Sequence, residues 1–429
     1  MKIVEGYAAA KSALSRPAQN ALAGADAREK TVRQIIDDVR RRGDAAIYDY
    51  TEKFDGVRLA SLEVDKKEID RAAKEIDAGL RGALKLAADR IAAYHAEQKN
   101  ILLKEKTGGK LGWVIRPLDS VGVHVPGFSA PLPSSLLMTA IPARVAGVKE
   151  IVLVTPPGKR GRVSPLTLAA AALAGVDRVF AVGGAQAVAA LAYGTESVPR
   201  VDKVCGPGNI YVSLAKKMVY GVVGIDGLYG PSEVIIIADE TANPAYCAAD
   251  LLAQAEHGSL AAAVLITTSR RMADRVNGEI ERQLADLPRK NITSEALEKR
   301  GLIALVGNVD EAIELANLYA PEHLCLVVAG AASYVDKVRH AGCLFVGENA
   351  VEVLVDYVAG PSHVLPTDGT ARFGSTLNIS DFVKIMTVVR TDEDDIRELG
   401  NAASIIASAE GLDAHARAVA KRLEGKARG

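Results

Sequence analysis

The stretch Leu251–Gly258, read LLAQAEHG, carries an amide and an imidazole at a spacing that could bind a metal ion. The Asn243-Pro244 pair ahead of it is typical of a helix N-cap and first turn, which predicts a helix over 245–256. Gln254 and His257 then lie at i and i+3 on one helix face, where they could supply half of a four-ligand site. A solvated or hydrogen-bonded couple is the alternative, because such pairs occur more often without a metal.

The remaining ligands would have to come from other parts of the chain. Among the seven histidines, three lie in short polar segments: His323, His363 and His415. His95 and His340 are expected to be surface or helix-packing residues. One set offers oxygen and nitrogen donors without thiolate, which suits zinc or another divalent ion at a catalytic site, and its members are Gln254, His257, Asp356 and His415.

Glu322 and His323 are adjacent and offer a second kind of chemistry. A carboxylate beside an imidazole is the usual equipment for proton abstraction and water activation, because neighbouring groups can tune both proton affinities. The structural alternative is a helix C-terminal cap with a stacked histidine.

The composition limits the class of protein and its partners. A chain of 429 residues is expected to form two or three compact units, and nearly half of its residues are apolar. The formal net charge of -1, with acids and bases interspersed, argues against a nucleic-acid surface or a polybasic membrane anchor, so a small molecule is the expected partner. The four scattered cysteines suit buried, reduced thiols. With no apolar run long enough to span a membrane and no signal-peptide pattern at the start, a soluble cytoplasmic protein is expected.

Several elements must position these residues. Helical periodicity at Val32, Ile35, Ile36 and Val39 predicts a helical N-terminal region. From Trp113 onward short apolar runs alternate with helices, which predicts a parallel sheet wrapped by helices. Two glycine-rich loops follow its strands, at 183–186 and 206–209.

A second alternating unit begins at 230–233, and the chain becomes helical again after Phe373. No G-x-G-x-x-G motif follows a strand, so the usual dinucleotide fingerprint is absent. Within these units, Glu322-His323 is predicted immediately before a strand, and Asp356 and His363 in a loop. The fold class is therefore α/β, with two parallel-sheet units between helical terminal regions.

Ten short motifs, in this order along the chain, resemble those of the histidinol dehydrogenase family over almost the whole sequence. They are Val125-Pro-Gly, Ala130-Pro with Pro133-Ser-Ser, Leu137-Met with Ile141-Pro-Ala, Gly183-Gly-Ala-Gln-Ala, Gly206-Pro-Gly-Asn, Gly230-Pro-Ser-Glu, Gln254-Ala-Glu-His, Tyr319-Ala-Pro-Glu-His-Leu, His363-Val-Leu-Pro-Thr and Ala414-His-Ala. So many motifs in the order of the family make the resemblance very specific.

The resemblance implies a homodimer with shared active sites and two Rossmann-like units that lack the glycine fingerprint. The implied domains are an N-terminal segment at 1–23, a large α/β domain at 24–123 plus 233–376, an inserted α/β domain at 124–232, and a helical tail at 377–429 that crosses to the partner subunit. The implied reaction is the zinc-dependent four-electron oxidation of L-histidinol, through L-histidinal, to L-histidine with two NAD, which is the end of histidine biosynthesis.

The resemblance also implies roles for individual residues. The zinc ligands would be Gln254, His257, Asp356 and His415, with one zinc ion per subunit. The acid/base pair would be Glu322 and His323. Substrate would be held by Ser232, Gln254, His257, His323, Asp356, His363, Glu410 and His415. NAD would contact His124, Gln186 and Asn209.

The sequence departs from the family pattern at the rims of the cofactor and substrate sites. The departures are His124 for a usual Tyr, Phe128 for the second Gly of a P-G-G turn, Tyr229 for a small residue, Val355 for a common Gly and Ser362 for a common Asn. Two other functions stay open. One is a related zinc- and NAD-dependent dehydrogenase of another small amino alcohol or a sulfonated diol. The other is a catalytically silent metal- or nucleotide-binding protein on the same fold.

Overall fold

The computed structural model describes residues 1–16, 26–127 and 131–424. Phe128 therefore lies outside the described residues. The chain forms two compact units, the first made of Met1–Asn100 with Pro117–Phe382 and the second of Ile101–Arg116 with Val383–Gly429. The expected α/β class is confirmed, with parallel sheets and helices towards both termini.

The strands are β1 (Lys2–Glu5), β2 (Leu111–Pro117), β3 (Ser120–His124), β4 (Glu150–Thr155), β5 (Arg178–Ala181), β6 (Lys203–Cys205), β7 (Gly224–Ile225), β8 (Glu233–Ala238), β9 (Ala262–Thr267), β10 (Gly301–Leu305), β11 (His323–Val327), β12 (Cys343–Val346) and β13 (Val383–Val389).

The helices are α1 (Tyr7–Leu14), α2 (Asp26–Arg42), α3 (Asp44–Asp55), α4 (Lys66–Glu75), α5 (Ala78–Leu102), α6 (Pro133–Ala146), α7 (Pro165–Leu173), α8 (Gly184–Tyr193), α9 (Ile210–Val219), α10 (Pro244–Ala255), α11 (Arg270–Leu284), α12 (Lys290–Arg300), α13 (Val309–Tyr319), α14 (Glu352–Tyr357), α15 (Glu393–Ala409) and α16 (Asp413–Glu424). Short 3-10 segments lie at Ala331–Lys337, Thr370–Arg372 and Ile379–Phe382.

The first unit contains a five-stranded sheet in the order β5-β4-β3-β6-β7, in which all strands are parallel. The order reverses between β3 and β6, and such a switch point leaves a crevice at the carboxyl ends of the two strands. The apolar face of α2, predicted from its spacing, packs against α8 and α9 and buries Val32, Ile35 and Val39 in the core of this sheet. The first strand of this sheet along the chain, β3, begins at Ser120. Glu63 forms an isolated β-bridge with Phe180 in the edge strand β5.

A six-stranded parallel sheet completes the first unit, in the order β1-β10-β9-β8-β11-β12. Strands β8 and β11 lie side by side with His323 opposite Val234, so Glu233 and His323 meet at the amino ends of their strands. Helix α10 connects β8 to β9 and returns its last turn to the same edge. The candidate functional residues of this sheet therefore lie at the amino ends of its strands. Those of the five-stranded sheet lie after the carboxyl ends of its strands.

The second unit contains β13 paired with β2, and the helices α15 and α16 packed on each other. Asp392 begins α15 with a capping box, in which its side chain accepts from Asp395 N and Asp395 accepts in return from Asp392 N. No helix among the residues that the structure describes is both long enough and apolar enough to cross a membrane.

Several sequence predictions need correction at the level of elements. His257 follows the end of α10 and is in a turn, because the helix stops at Ala255. Asp356 lies in the short helix α14 rather than in a loop. The tail at 377–429, expected to be helical, contains the strand β13 ahead of its two helices.

Candidate active site

A cavity of about 510 Å³ lies in the first unit and collects most of the candidate residues. The six-stranded sheet and its loops contribute Ser232, His257, Glu322, His323, Asp356 and His363, while the five-stranded sheet contributes Pro207, Gly208 and Asn209. The carboxyl edge of one sheet and the amino edge of the other thus supply the walls of a single cavity.

Glu322 is buried beside the start of β11, and its Oε2 accepts a hydrogen bond of 2.8 Å from Glu233 N. Helix α13 ends before it at Tyr319, and its C-cap Ala320 adopts the left-handed conformation with φ 53°. The helix cap is therefore Ala320, so a capping role for the Glu322-His323 pair is wrong. Burial raises the pKa of the Glu322 carboxyl well above its ordinary value, and nearby carboxyls add to the effect.

His323 is held so that one ring nitrogen remains available. Its Nδ1 lies 3.2 Å from Glu233 O, a carbonyl that can only accept, so Nδ1 carries the hydrogen. Its Nε2 is buried, has no hydrogen-bond partner among the residues that the structure describes, and lies 4.0 Å from Asp356 Oδ1. Burial lowers the pKa of His323 to about 4, so at neutral pH the imidazole is uncharged and Nε2 presents a lone pair.

Glu352 is a buried carboxylate that the sequence did not single out. It is the first residue of α14 and lies four residues before Asp356, so both share one helix face. Its Oε1 lies 3.5 Å from His323 Nδ1 and accepts from the amide nitrogen of Gln254, with the amide oriented by its hydrogen bonds. In that orientation Gln254 Oε1 accepts from Glu233 N at 2.9 Å. Glu352 therefore connects a predicted metal ligand to the predicted base.

The donors present fit a divalent cation, although the structure does not assemble the whole predicted set. His257 Nδ1 donates to Ala253 O at 3.1 Å, which leaves Nε2 as the metal-binding atom. His257 also lies beyond the carboxyl end of α10, and the end of a helix at which carbonyl groups point outwards attracts a bound cation.

Charge compensation supports the same fit. The buried Glu322 and Glu352 and the nearby Asp356 form no ion pair with Lys or Arg among the described residues, so a cation would offset their charge. Within the described ranges no three His, Cys, Asp or Glu side chains form a metal site by themselves, so the set depends on Gln254 and on a further ligand.

Glu410 and His415 lie in the second unit, apart from the other candidates along the chain. Glu410 ends α15, His415 is in α16, and both side chains are exposed. The first unit therefore contains three of the four predicted zinc ligands, and His415 remains a predicted ligand.

The residues predicted to contact NAD lie around the switch point of the five-stranded sheet. His124 ends β3, and its Nδ1 donates to Pro207 O at 2.9 Å, which ties β3 to the loop after β6. Asn209 caps α9 by accepting from Tyr211 N and Val212 N through Oδ1, so its amide nitrogen is the group left for a ligand. Gln186 is buried in the first turn of α8 and does not line the cavity.

A buried ion pair supports this loop. Lys216 Nζ donates to Gly206 O at 3.0 Å and pairs with Asp226, which in turn accepts from Gly206 N at 2.7 Å. The ring of Tyr229 covers Lys216 Nζ at 4.6 Å. Tyr229, one of the departures from the family pattern, thus packs on the support of the loop while also lining the cavity.

Two further departures have structural roles outside the cavity lining. Ser362 Oγ donates to Met138 O and accepts from Val364 N, both at 3.1 Å, and its side chain is buried. Val355 packs against the core beside the six-stranded sheet.

Comparisons with known proteins agree with one another. The family model described as histidinol dehydrogenase matches residues 18–423. The chain is 56% identical to histidinol dehydrogenase from Dehalococcoides mccartyi, with 99% of this chain and 100% of the relative covered. It is 51% identical to that of Deinococcus radiodurans, covering 92% and 91%. A crystal structure of histidinol dehydrogenase from Elizabethkingia anophelis is similar, with a TM-score of 0.92, 37% identity, and 99% and 98% of the two chains covered.

Proposed function

The chain belongs to the histidinol dehydrogenase family, NAD-dependent oxidoreductases of an alcohol and its aldehyde, and we propose that it oxidises L-histidinol through L-histidinal to L-histidine. The proposed reaction uses zinc and two NAD and completes histidine biosynthesis, in the cytoplasm. The buried Glu322-His323 pair carries this proposal, because a four-electron oxidation needs both a base for an alcohol and a base for water.

His323 is the proposed base of the alcohol step. Its neutral imidazole offers Nε2 to the cavity, while Nδ1 is fixed by Glu233 O, so the ring can accept the hydroxyl proton without turning. Asp356 Oδ1, 4.0 Å from Nε2, would stabilise the imidazolium that forms.

Glu322 is the proposed base of the aldehyde step. Its raised pKa keeps the carboxyl close to its proton, so the carboxylate is a stronger base for water than an exposed glutamate. Hydration of the aldehyde gives a diol whose carbon again carries a hydride to lose, and this reuses the machinery of the first step. The cavity would hold the aldehyde between the two steps.

Zinc would be held by Gln254, His257 and Asp356 together with the partner subunit's His415. When bound, zinc supplies a Lewis acid and a fixed anchor for the substrate. NAD would be held near His124, Gln186 and Asn209 and supplies the hydride acceptor. Ser232, His363 and Glu410 would hold the substrate.

A second copy of the chain is the proposed partner. The second unit exposes large apolar side chains on β13 and α15, including Ile385, Met386, Ile405 and Ile406, which are 55–68% exposed. Large apolar side chains exposed in this number on one small unit favour an interface. Since His415 lies in the same unit, a homodimer that covers this surface could also deliver His415 and Glu410 to the partner.

The test is the amount of NADH formed from limiting L-histidinol, with and without a chelator. Two NADH per L-histidinol, abolished by chelation and restored by zinc, are expected. One NADH per substrate would mean that the aldehyde step fails, and would contradict the role of Glu322. No NADH at all would favour a related dehydrogenase of another amino alcohol or a sulfonated diol. Bound zinc without reduction of NAD by any alcohol would instead favour a silent binding protein.

A further inference from the structure

Ser135 forms a buried hydrogen-bonded chain with His363 and the backbone of Asp356. Ser135 Oγ lies 3.1 Å from His363 Nε2, and His363 Nδ1 lies 2.8 Å from Asp356 O. Ser135 is only 5% exposed, yet it lines the same cavity as His323 and Asp356. The sequence motif that contains this serine gave it no role.

The donors and acceptors of this chain can be assigned from their chemistry. The carbonyl of Asp356 can only accept, so His363 Nδ1 carries the hydrogen. A neutral imidazole carries one ring hydrogen, so with that hydrogen on Nδ1 it has only a lone pair at Nε2. The hydroxyl of Ser135 must therefore donate its hydrogen to Nε2.

This assignment leaves His363 without a free ring nitrogen for a substrate. Ser135 Oγ, in contrast, uses only its hydrogen in this bond. Its lone pairs can still accept hydrogen bonds. The lone pairs are made more available because the O–H bond is polarised towards the imidazole. A serine arranged in this way binds a group that donates a hydrogen bond.

We propose that Ser135 Oγ is a substrate-binding atom that accepts a hydrogen bond from an O–H or N–H of the substrate, and that His363 is the positioning residue behind it. This inference rests on the proposed function for its probe, L-histidinol, which offers both kinds of donor. The substrate contact expected for His363 then belongs to Ser135.

The two possible donors can be separated by the oxidation itself. If Ser135 accepts from the alcohol O–H, loss of the serine hydroxyl weakens the binding of L-histidinol. It leaves the binding of L-histidinal unchanged, because the aldehyde carbonyl has no hydrogen to donate. If Ser135 accepts from an N–H, which both molecules have, loss of the serine hydroxyl weakens the binding of both equally.

The test compares Ser135→Ala with a matched change one helical turn away. Thr139 is buried in the same helix, its Oγ1 donates to Ser135 O at 2.8 Å, and it does not line the cavity, so Thr139→Val removes a hydroxyl of similar setting. Calorimetric binding of L-histidinol and the KM are measured for both, with zinc content as a check on the metal set. We expect Ser135→Ala to weaken binding and raise KM about tenfold, with a smaller change in kcat. In Thr139→Val the binding and the KM of L-histidinol should stay within about twofold of the wild-type values.

His363→Gln and the double variant decide whether the two residues act as one. If His363 acts through Ser135, the His363 substitution has little further effect on KM once Ser135 is alanine. An unchanged KM in Ser135→Ala, together with a raised KM in His363→Gln, would show that His363 touches the substrate itself and would overturn the inference alone. A wild-type protein that neither binds nor oxidises L-histidinol would overturn the proposed function and this inference with it.

Discussion

Burial of His124 fixes the protonation state of a single imidazole beside the proposed cofactor loop. The ring is 2% exposed, its Nδ1 donates to Pro207 O, and its Nε2 has no hydrogen-bond partner in the part of the chain that the structure describes. Burial lowers its pKa to about 4, and the charge of Lys216 acts in the same direction, whereas Asp226 opposes it. An unfolded chain would restore the ordinary value of 6.5.

His124→Gln is expected to reduce the loss of stability in mild acid. Between about pH 6.5 and pH 4 the unfolded chain binds a proton that folded His124 does not, so the free energy of unfolding falls as the pH falls through this window. This group contributes a slope of about 1.4 kcal/mol per pH unit at most. Denaturant unfolding of both proteins at pH 7 and pH 5 measures the slopes. Equal slopes would mean that folded His124 takes up its proton over the same pH range as the unfolded chain, so that its pKa is not lowered.

At the scale of elements, the buried Lys216–Asp226 pair connects α9, β7 and the loop after β6. Removing one member leaves the other charge buried without its partner, so Lys216→Met is expected to destabilise the protein by about 3–5 kcal/mol. The neighbouring Lys217 is half exposed and pairs with Glu29 at 3.1 Å, so Lys217→Met should change stability by about 0–1 kcal/mol. Denaturant unfolding of the two variants gives the comparison. NAD affinity should fall only in Lys216→Met, and similar stabilities of the two variants would contradict the role of the buried pair.

The elements predicted from local signals are those that the structure confirms best. Helix α10 begins at Pro244 with Asn243 as its N-cap, as the Asn-Pro pair indicates, because capping is decided by the chain around one turn. The alternation of strands and helices likewise follows from periodicity and gives both parallel sheets.

Short or non-local features could not be predicted in the same way. Helix α14 has only six residues, too few to show a helical period, so Glu352 went unrecognised as a neighbour of Asp356. The bond from Ser135 to His363 joins residues 228 positions apart, and no local pattern reports such a contact. The meeting of the Glu322-His323 pair and Asn209 in one cavity is also non-local, because it depends on how the two sheets face each other.

At the scale of the whole molecule, the second unit contains two predicted site residues and an exposed apolar surface. Its helices pack on each other but leave Leu399, Ile405 and Ile406 57–62% exposed. Single exposed apolar residues are common, whereas a group of them on one small unit favours association. Shared active sites would explain why His415 lies so far along the chain from its proposed fellow ligands.

A mixed dimer tests whether the sites are shared. Differently tagged Glu322→Ala and His415→Ala chains are expressed together, and the dimers that carry both tags are purified. If each site combines the first unit of one chain with His415 of the other, one of the two sites contains both residues, and about half of the wild-type activity is expected. If each chain uses its own His415, neither site is complete and the mixed dimer is inactive.

The reciprocal dimer gives the opposite expectation and excludes a trivial recovery. Here a wild-type chain is paired with a chain that carries both substitutions. Shared sites would leave each site with one defect and no activity, since the intact first unit receives the altered tail and the altered first unit receives the intact one. Separate sites would leave the wild-type chain active at about half the normal rate. Only exchange of His415 between subunits makes the first dimer active and the second inactive, because loss of folding or of zinc from one chain would lower the activity of both.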